Sequence, residues 1–247
     1  MLDKNKIYQG DCLEIMQNID DSSIDMILCD LPYGVTNNKK DIVIPFDKLW
    51  KQYERIIKDN GVIALFAQGI FYVDLVSSNK RLFRYDLVWD KKLTSGFLNC
   101  NRQPLRKHEQ IAIFYKKQPT YNPQFTIGEP SHSKGKCLNS HKNSNYGKYD
   151  EVDNTRKDNF DKFPTSIIEY QKPHPSKAVH PTQKSVELSK YLIKTYTNEQ
   201  DLILDNCMGS GTTAIACIET NRNYIGIELQ QKYVDIANRR INELKRV

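Results

Sequence analysis

The segment from Leu202 to Glu228 constrains the fold more than any other part of the chain. The apolar run 202–205 predicts a short buried strand that ends at a carboxylate. Gly209-Ser210-Gly211 follows, and glycine lets a backbone turn sharply and approach a ligand closely. A helix over 212–220 and a strand over 224–228 complete the unit. This order predicts an α/β sheet with a nucleotide-like ligand at its strand ends.

Strand and helix patterns alternate through most of the remaining chain. Apolar runs predict further strands at 24–30, 62–66, 85–89 and 110–115. Amphipathic periodicity predicts helices over 49–57 with a stop at Asn60-Gly61, from near Pro181, and over 233–244. Strands that alternate with helices in this way indicate a doubly wound, mostly parallel sheet.

One long stretch departs from this alternation. Residues 119–170 are rich in Asn, Ser, Lys, Gly and Pro and have little apolar periodicity. A structureless loop of that length is unusual in a compact domain unless it is functional. We expect an inserted region there, with 1–118 and 171–247 forming one domain.

Composition argues against a membrane-spanning or secreted protein and against a metal site, and it is compatible with a polyanionic partner. The net charge of +6 suits a polyanion, because Lys and Arg neutralise phosphates. No apolar run is long enough to cross a membrane, and the first residues lack a secretory pattern, so we expect a cytoplasmic protein without a membrane partner. The six cysteines form no C-x-x-C pair, which predicts free thiols and no metal site.

The glycine loop is compatible with more than one ligand. Gly209-x-Gly211-x-x-Ala214 fits the dinucleotide fingerprint, and Glu228 stands where such sites place an acid for ribose hydroxyls. Asp205 separates the alternatives, since its carboxylate would repel a pyrophosphate and attract the cationic end of S-adenosylmethionine. A third interpretation of the glycine loop is a tight turn that binds no ligand.

A second motif follows the predicted strand at 24–30. Asp30-Leu31-Pro32-Tyr33 joins a carboxylate, a stiff turn and an aromatic that we expect to be exposed. A carboxylate and a backbone carbonyl could accept the two protons of an exocyclic amine and orient its lone pair, while an aromatic ring stacks on the base. The competing interpretation is that Asp30 caps the loop and Tyr33 packs in the core.

Together these motifs resemble those of the amino-methyltransferases of DNA, whose catalytic motif is usually Asp-Pro-Pro-Tyr and whose cofactor motif usually ends in Gly-Ser-Gly-Thr-Thr. Here the catalytic motif comes first, as in the permuted β group. Gly10-Asp11-Cys12-Leu13 and His180-Pro181-Thr182-Gln183-Lys184 resemble two further motifs of the group. The chain departs from the family at Leu31, at Asn206-Cys207 and at Ser185, where the family usually has Pro, Pro-Phe and Pro.

The resemblance implies a Rossmann-like methyltransferase fold, S-adenosylmethionine as cofactor and double-stranded DNA as substrate. It implies a catalytic role for Asp30, Leu31, Pro32 and Tyr33. The cofactor would contact Asp11, Cys12, Asp30, Lys184, Asp205, Asn206, Gly209, Ser210, Gly211, Thr212 and Glu228. Family members with Asp first in the catalytic motif resemble adenine-N6 enzymes, whereas cytosine-N4 enzymes usually have Ser.

The resemblance also implies that the inserted region recognises the target sequence. Lysines and aromatics are interleaved over 132–163, which suits contacts to phosphates and to bases. Further basic residues that could line the cleft are Arg102, Arg106, Lys107 and His108. A homodimer and a cognate restriction endonuclease are both compatible with the sequence, which specifies neither.

Overall fold

Strands and helices alternate along the computed structural model, which describes residues 2–35, 41–129, 160–173 and 183–245. The strands are β1 (Lys6–Gln9), β2 (Ile24–Cys29), β3 (Ile57–Ala67), β4 (Phe83–Ser95), β5 (Arg106–Phe114), β6 (Thr126–Ile127), β7 (Asp161–Lys162), β8 (Ile167–Glu169), β9 (Leu202–Asp205) and β10 (Asn223–Glu228). The helices are α1 (Cys12–Ile15), α2 (Phe46–Ile56), α3 (Gly69–Ser78), α4 (Val186–Tyr196), α5 (Thr212–Glu219) and α6 (Gln231–Leu244).

Eight strands form one sheet in the order β1-β10-β9-β2-β3-β5-β4-β8. The five strands from β1 to β3 are all parallel, and β8 is parallel to β4. Among the described strands of this sheet, β5 alone runs antiparallel to its neighbours, β3 and β4. The prediction of a mostly parallel α/β sheet is therefore confirmed.

Both faces of the sheet are buried, and β2 shows this most directly. Ile27 and Cys29 belong to one apolar cluster, with side chains of α2 and α3. Met26 and Leu28 belong to a second cluster, with side chains of α4 and α5. Because successive strand residues point to opposite faces, helices cover the sheet on both sides, as the doubly wound prediction requires.

One predicted helix stop is wrong. Asn60-Gly61 lies inside β3, which begins at Ile57 directly after α2. A Cβ on Gly61 would lie 2.9 Å from the carbonyl oxygen of Asp25, so this glycine permits a close approach between strands. The β2–β3 register shifts at the same place, between Ile24 and Met26.

Helix α4 begins later than the sequence suggested. Its first residue is Val186, and the Ser185 hydroxyl caps it by accepting a hydrogen bond from the Leu188 amide. Pro181, where the helix was expected to begin, lies outside the described residues. Ser185, a departure from the family motif, thus has a local structural role.

Residues 123–165 form a compact unit separate from residues 1–122 and 166–247. In its described part, β6 and β7 pair antiparallel, and the rings of Phe125 and Phe163 meet edge to face at 4.8 Å. Most of the lysines and aromatics expected to contact DNA fall within 130–159, outside the described residues. The inserted target-recognition region at 119–170 stays a prediction.

Two further observations concern the described part of the chain. None of its helices is both long enough and apolar enough to cross a membrane. Its five cysteines are free thiols, namely Cys12, Cys29, Cys100, Cys207 and Cys217.

The central strand should be the most sensitive part of the core. Ile27 is buried in β2 and pairs with Ile63 on one side and Leu204 on the other. We expect Ile27→Ala to lower the free energy of unfolding by about 2–5 kcal/mol, because it removes buried methyl groups and leaves a cavity. Ile70→Ala, at an exposed position of α3, should change it by less than about 0.5 kcal/mol. Urea unfolding checks both, and equal effects would contradict the assignment of β2 to the core.

Candidate active site

The two motifs that are far apart in sequence meet because β2 and β9 are neighbours in the sheet. Met26 pairs with Ile203 and Ile27 with Leu204, both in parallel register. Asp30 follows directly after β2, and Asp205 ends β9. Carboxyl ends of adjacent parallel strands lie about 4.8 Å apart, so the two loops open at the same edge of the sheet.

A cavity of about 800 Å³ lies at this edge, within the usual volume range of small-molecule sites. It brings together all but one of the residues predicted for the site. Those that line it are Asp11, Cys12, Asp30, Leu31, Pro32, Tyr33, Lys184, Asp205, Asn206, Gly209, Ser210, Thr212 and Glu228.

Gly211 is the exception, because its backbone packs against α6. A Cβ at this position would lie 2.8 Å from that of Ala237, and its φ of 82° is in the left-handed region. The Ser210 carbonyl oxygen accepts a hydrogen bond from Arg240, also on α6, at 2.5 Å. Gly211 therefore shapes the glycine loop on the side that faces α6, and contacts with α6 hold this loop in place.

Two buried acids hold the loop from the sheet. The carboxylate of Asp205 accepts hydrogen bonds from the Thr213 hydroxyl at 2.6 Å and the Cys207 amide at 3.0 Å. Glu228 accepts from the Gly209 and Gln230 amides at 2.9 and 2.8 Å. Burial raises the pKa of Asp205 to about 6, although its hydrogen bonds oppose the shift.

The chemistry of this lining favours one of the two ligand classes. Among the described residues, six carboxylates line the cavity against three lysine ammonium groups, and Asp11, Asp205 and Glu228 are among the six. An anionic pyrophosphate would meet repulsion there, whereas a nucleoside with hydroxyls and a positive charge finds acceptors and an attractive field. The described residues thus fit S-adenosylmethionine better than a dinucleotide.

Asp30 lies at the other side of the cavity and has two donors on one oxygen. Its Oδ1 accepts a hydrogen bond from the Tyr33 hydroxyl at 2.8 Å and lies 3.1 Å from the Lys184 ammonium. Burial raises the pKa of Asp30, and the charge of Lys184 opposes this shift. Tyr33 is half-buried, with one face stacked on Phe71 at 4.7 Å, so the expectation of an exposed aromatic is wrong.

Comparison with known proteins shows the family of this chain. Residues 24–239 match the N6/N4 family described as DNA methylase. The chain belongs to this family.

Whole-length relatives agree with this assignment. The chain is 29% identical to the type II methyltransferase M2.MboI of Moraxella bovis, over 98% of this chain and 89% of that protein. It is 28% identical to the type II methyltransferase M1.MboII of Moraxella bovis, over 99% of both proteins.

Solved structures share the fold. The M1.HpyAVI–SAM complex has a TM-score of 0.63 at 24% identity and matches 95% of this chain and 98% of its own. The cytosine-N4-specific PvuII DNA methyltransferase has a TM-score of 0.68 at 16% identity, over 94% of this chain and 84% of its own. These likenesses confirm a Rossmann-like methyltransferase fold.

Family membership and the order of the motifs make the chain a DNA amino-methyltransferase of the β group. Its cofactor is S-adenosylmethionine and its substrate is DNA. The resemblance stated from the sequence is confirmed at this level, and the dinucleotide alternative is wrong.

The structure adds buried site residues that sequence reasoning missed. Glu109 and Lys91 line the cavity on β5 and β4, and the hydroxyl of buried Tyr53 donates to Asn206 at 2.5 Å. The sequence had instead drawn attention to the four basic residues 102 and 106–108, which are exposed and do not line the cavity. The only available signal for Glu109 was an acid directly before the predicted strand at 110–115, whereas the structure places Glu109 inside β5.

Cofactor affinity should depend on the ionisation of Asp205. An ionised Asp205 attracts a cationic ligand, so affinity for S-adenosylmethionine should fall as the pH decreases through about 6 and the carboxylate is protonated. Asp205→Asn should bind more weakly and with a flatter pH dependence. Isothermal titration calorimetry across this pH range measures both, and a wild-type affinity that does not change near pH 6 would contradict the prediction.

Proposed function

We propose that this DNA amino-methyltransferase acts on N6 of adenine in double-stranded DNA. The observation that carries the proposal is the carboxylate of Asp30 at the first position of the catalytic motif, inside the cavity. Family members with Asp there resemble adenine enzymes, whereas cytosine-N4 enzymes usually have Ser. The likeness to the cytosine-N4-specific PvuII enzyme concerns the fold alone and does not choose the base.

Asp30 is arranged to accept a proton of the target amine. Tyr33 and Lys184 both contact Oδ1, and none of the residues that the structure describes donates a hydrogen bond to Oδ2. Oδ2 is therefore available to one amine proton, and the backbone carbonyl of Leu31 would accept the other. Both contacts orient the nitrogen lone pair, which is otherwise delocalised into the base.

The rest of the catalytic loop would hold the base. Pro32 lines the cavity and stiffens the turn, and Leu31 is buried in the core beneath it. Tyr33 is fixed by its hydrogen bond to Asp30 and by Phe71, so its ring is oriented before a base arrives. A base stacked on such a ring gains about 1–3 kcal/mol.

The remaining lining would hold S-adenosylmethionine, which when bound supplies an electrophilic methyl group. Glu228 would accept hydrogen bonds from the ribose, and Asp11 and Cys12 would contact the adenine end. Asp205 would attract the cationic methionine end. Lys184 would balance the ligand's carboxylate, and the loop residues Asn206, Gly209, Ser210, Gly211 and Thr212 would shape the pocket.

Relatives also suggest a biological setting. The curated relatives carry the name type II methyltransferase, which favours a modification enzyme that works beside a restriction endonuclease. The described residues include no feature that identifies this partner or a second copy of the chain.

Asp30 can be tested with an isosteric change. Asp30→Asn should lower the rate of methyl transfer by about 10²–10⁴-fold, because an amide cannot accept the amine proton as a carboxylate does. Binding of S-adenosylmethionine should persist, since Asp205, Asp11 and Glu228 remain. Asp74→Asn, at an exposed position of α3, is the matched control and should leave the rate unchanged. Near-normal turnover in Asp30→Asn would remove Asp30 from the mechanism.

The methylated base decides between the two substrates of the family. We expect N6-methyladenine in plasmid DNA from a methylation-deficient host after incubation with the protein and S-adenosylmethionine. Digestion to nucleosides and mass spectrometry identify the product. A dominant N4-methylcytosine peak would show that Asp30 does not specify adenine.

A further inference from the structure

A second carboxylate, Glu109, lies behind the pair formed by Asp30 and Lys184. Its Oε2 is 2.6 Å from the Lys184 ammonium, which is 3.1 Å from Oδ1 of Asp30. Glu109 is 5% exposed and Lys184 8% exposed, so water screens these charges little. The ammonium is therefore shared between two acids and lies nearer to Glu109.

The other oxygen of Glu109 is held by a second lysine. Its Oε1 is 3.3 Å from the ammonium of Lys91, which is 2% exposed and also donates to the Ser95 hydroxyl at 3.3 Å. Glu109 pairs across the sheet with Trp89, which places it on β5 beside β4. Burial alone would raise the pKa of Glu109, but Lys184 and Lys91 hold it below its ordinary value.

Aromatic rings limit where the Lys184 ammonium can move. It lies 4.9 Å from the ring centroid of Phe66, 5.7 Å from that of Trp89 and 5.8 Å from that of Tyr33. These rings favour a cation and exclude water from it. The carboxylates of Asp30 and Glu109 are thus the anions with which Lys184 pairs in the described structure.

We infer that Glu109 is a positioning residue for methyl transfer: it holds the Lys184 ammonium away from Asp30 Oδ2, which stays available to the target amine. Without Glu109, the buried Lys184 ammonium would pair with Asp30 alone. It would then compete with the target amine for the Asp30 carboxylate. The inference rests on the role of Asp30 proposed above. Glu109 touches neither the base nor the methyl donor in this account and acts only through Lys184.

The charge of Glu109 should also set the pH dependence of catalysis. Methyl transfer needs ionised Asp30, so the rate is lost as the pH falls through its pKa. The negative charge of Glu109 raises that pKa, and replacing it by a neutral amide should move the acid limb to lower pH. The other titratable groups that interact with Asp30 remain in place, namely Lys184, Tyr33, Lys172, Cys29 and Asp205.

The test compares Glu109→Gln with the wild type in single-turnover methylation of plasmid DNA from a methylation-deficient host. At saturating cofactor and DNA, we expect a rate loss on the order of a hundredfold, as for a misplaced catalytic group. The acid limb should shift to lower pH, while the affinity for DNA stays unchanged. Glu109→Asp, which keeps the charge, should leave the limb where it is in the wild type and restore part of the rate.

A second variant guards against unfolding, because Glu109→Gln leaves one buried positive charge in excess. Glu109→Gln/Lys91→Met removes one charge of each sign and leaves the Asp30–Lys184 pair balanced, so it should fold and show the same rate loss. The shift of the acid limb should keep its direction but be smaller, because loss of the Lys91 charge opposes it. Glu169→Gln, which breaks the exposed ion pair with Lys92, is the matched control and should behave as the wild type.

Two outcomes would overturn the inference. One is a wild-type rate in the folded Glu109→Gln or double variant. The other is a rate loss with an unmoved acid limb and a parallel loss of melting temperature, which would make Glu109 only a structural counter-charge. Failure of the proposed role of Asp30 is distinguishable, since Asp30→Asn would then be active whatever Glu109 does.

Discussion

The parallel pairing of β2 with β9 is the interaction on which the site depends. These strands come from opposite ends of the chain, and their pairing places the loop after Cys29 beside the loop after Asp205. Under the proposed function, one loop carries the group that orients the amine and the other shapes the cofactor pocket. An amine and a methyl donor bound at adjacent strand ends would already lie close together, and such positioning supplies much of an enzyme's rate enhancement.

The same geometry concentrates negative charge at one edge of the sheet. Asp11, Asp30, Asp205 and Glu228 all line the cavity there. Asp205 and Glu228 are buried and Asp30 partly so, and burial of a carboxylate costs free energy unless donors or cations meet it. Backbone amides and hydroxyls donate hydrogen bonds to Asp205 and Glu228, while the Lys184 ammonium forms an ion pair with Asp30. The negative charge that these donors and this cation do not neutralise would attract a cationic methyl donor.

Particular residues show how far the sequence could predict the site. Local patterns located Asp30 after β2, Asp205 at the end of β9 and Glu228 at the end of β10, because each follows a short apolar run. Glu109 gave no comparable signal, because an acid directly before a predicted strand is usually exposed. Its burial inside β5 depends on Lys184 from a distant segment. Tyr33 was expected to be exposed, because no residue near it in sequence indicates that its ring stacks on Phe71.

The sequence by itself determined the alternation of strands and helices, the glycine loop and the order of the two motifs. These are local properties, set by the periodicity of apolar side chains and by backbone freedom at glycine. Tertiary structure decided the order of strands in the sheet, the close approach at Gly61 and the sharing of one ammonium between Asp30 and Glu109. Such features depend on contacts between residues far apart in the chain, which no local pattern encodes.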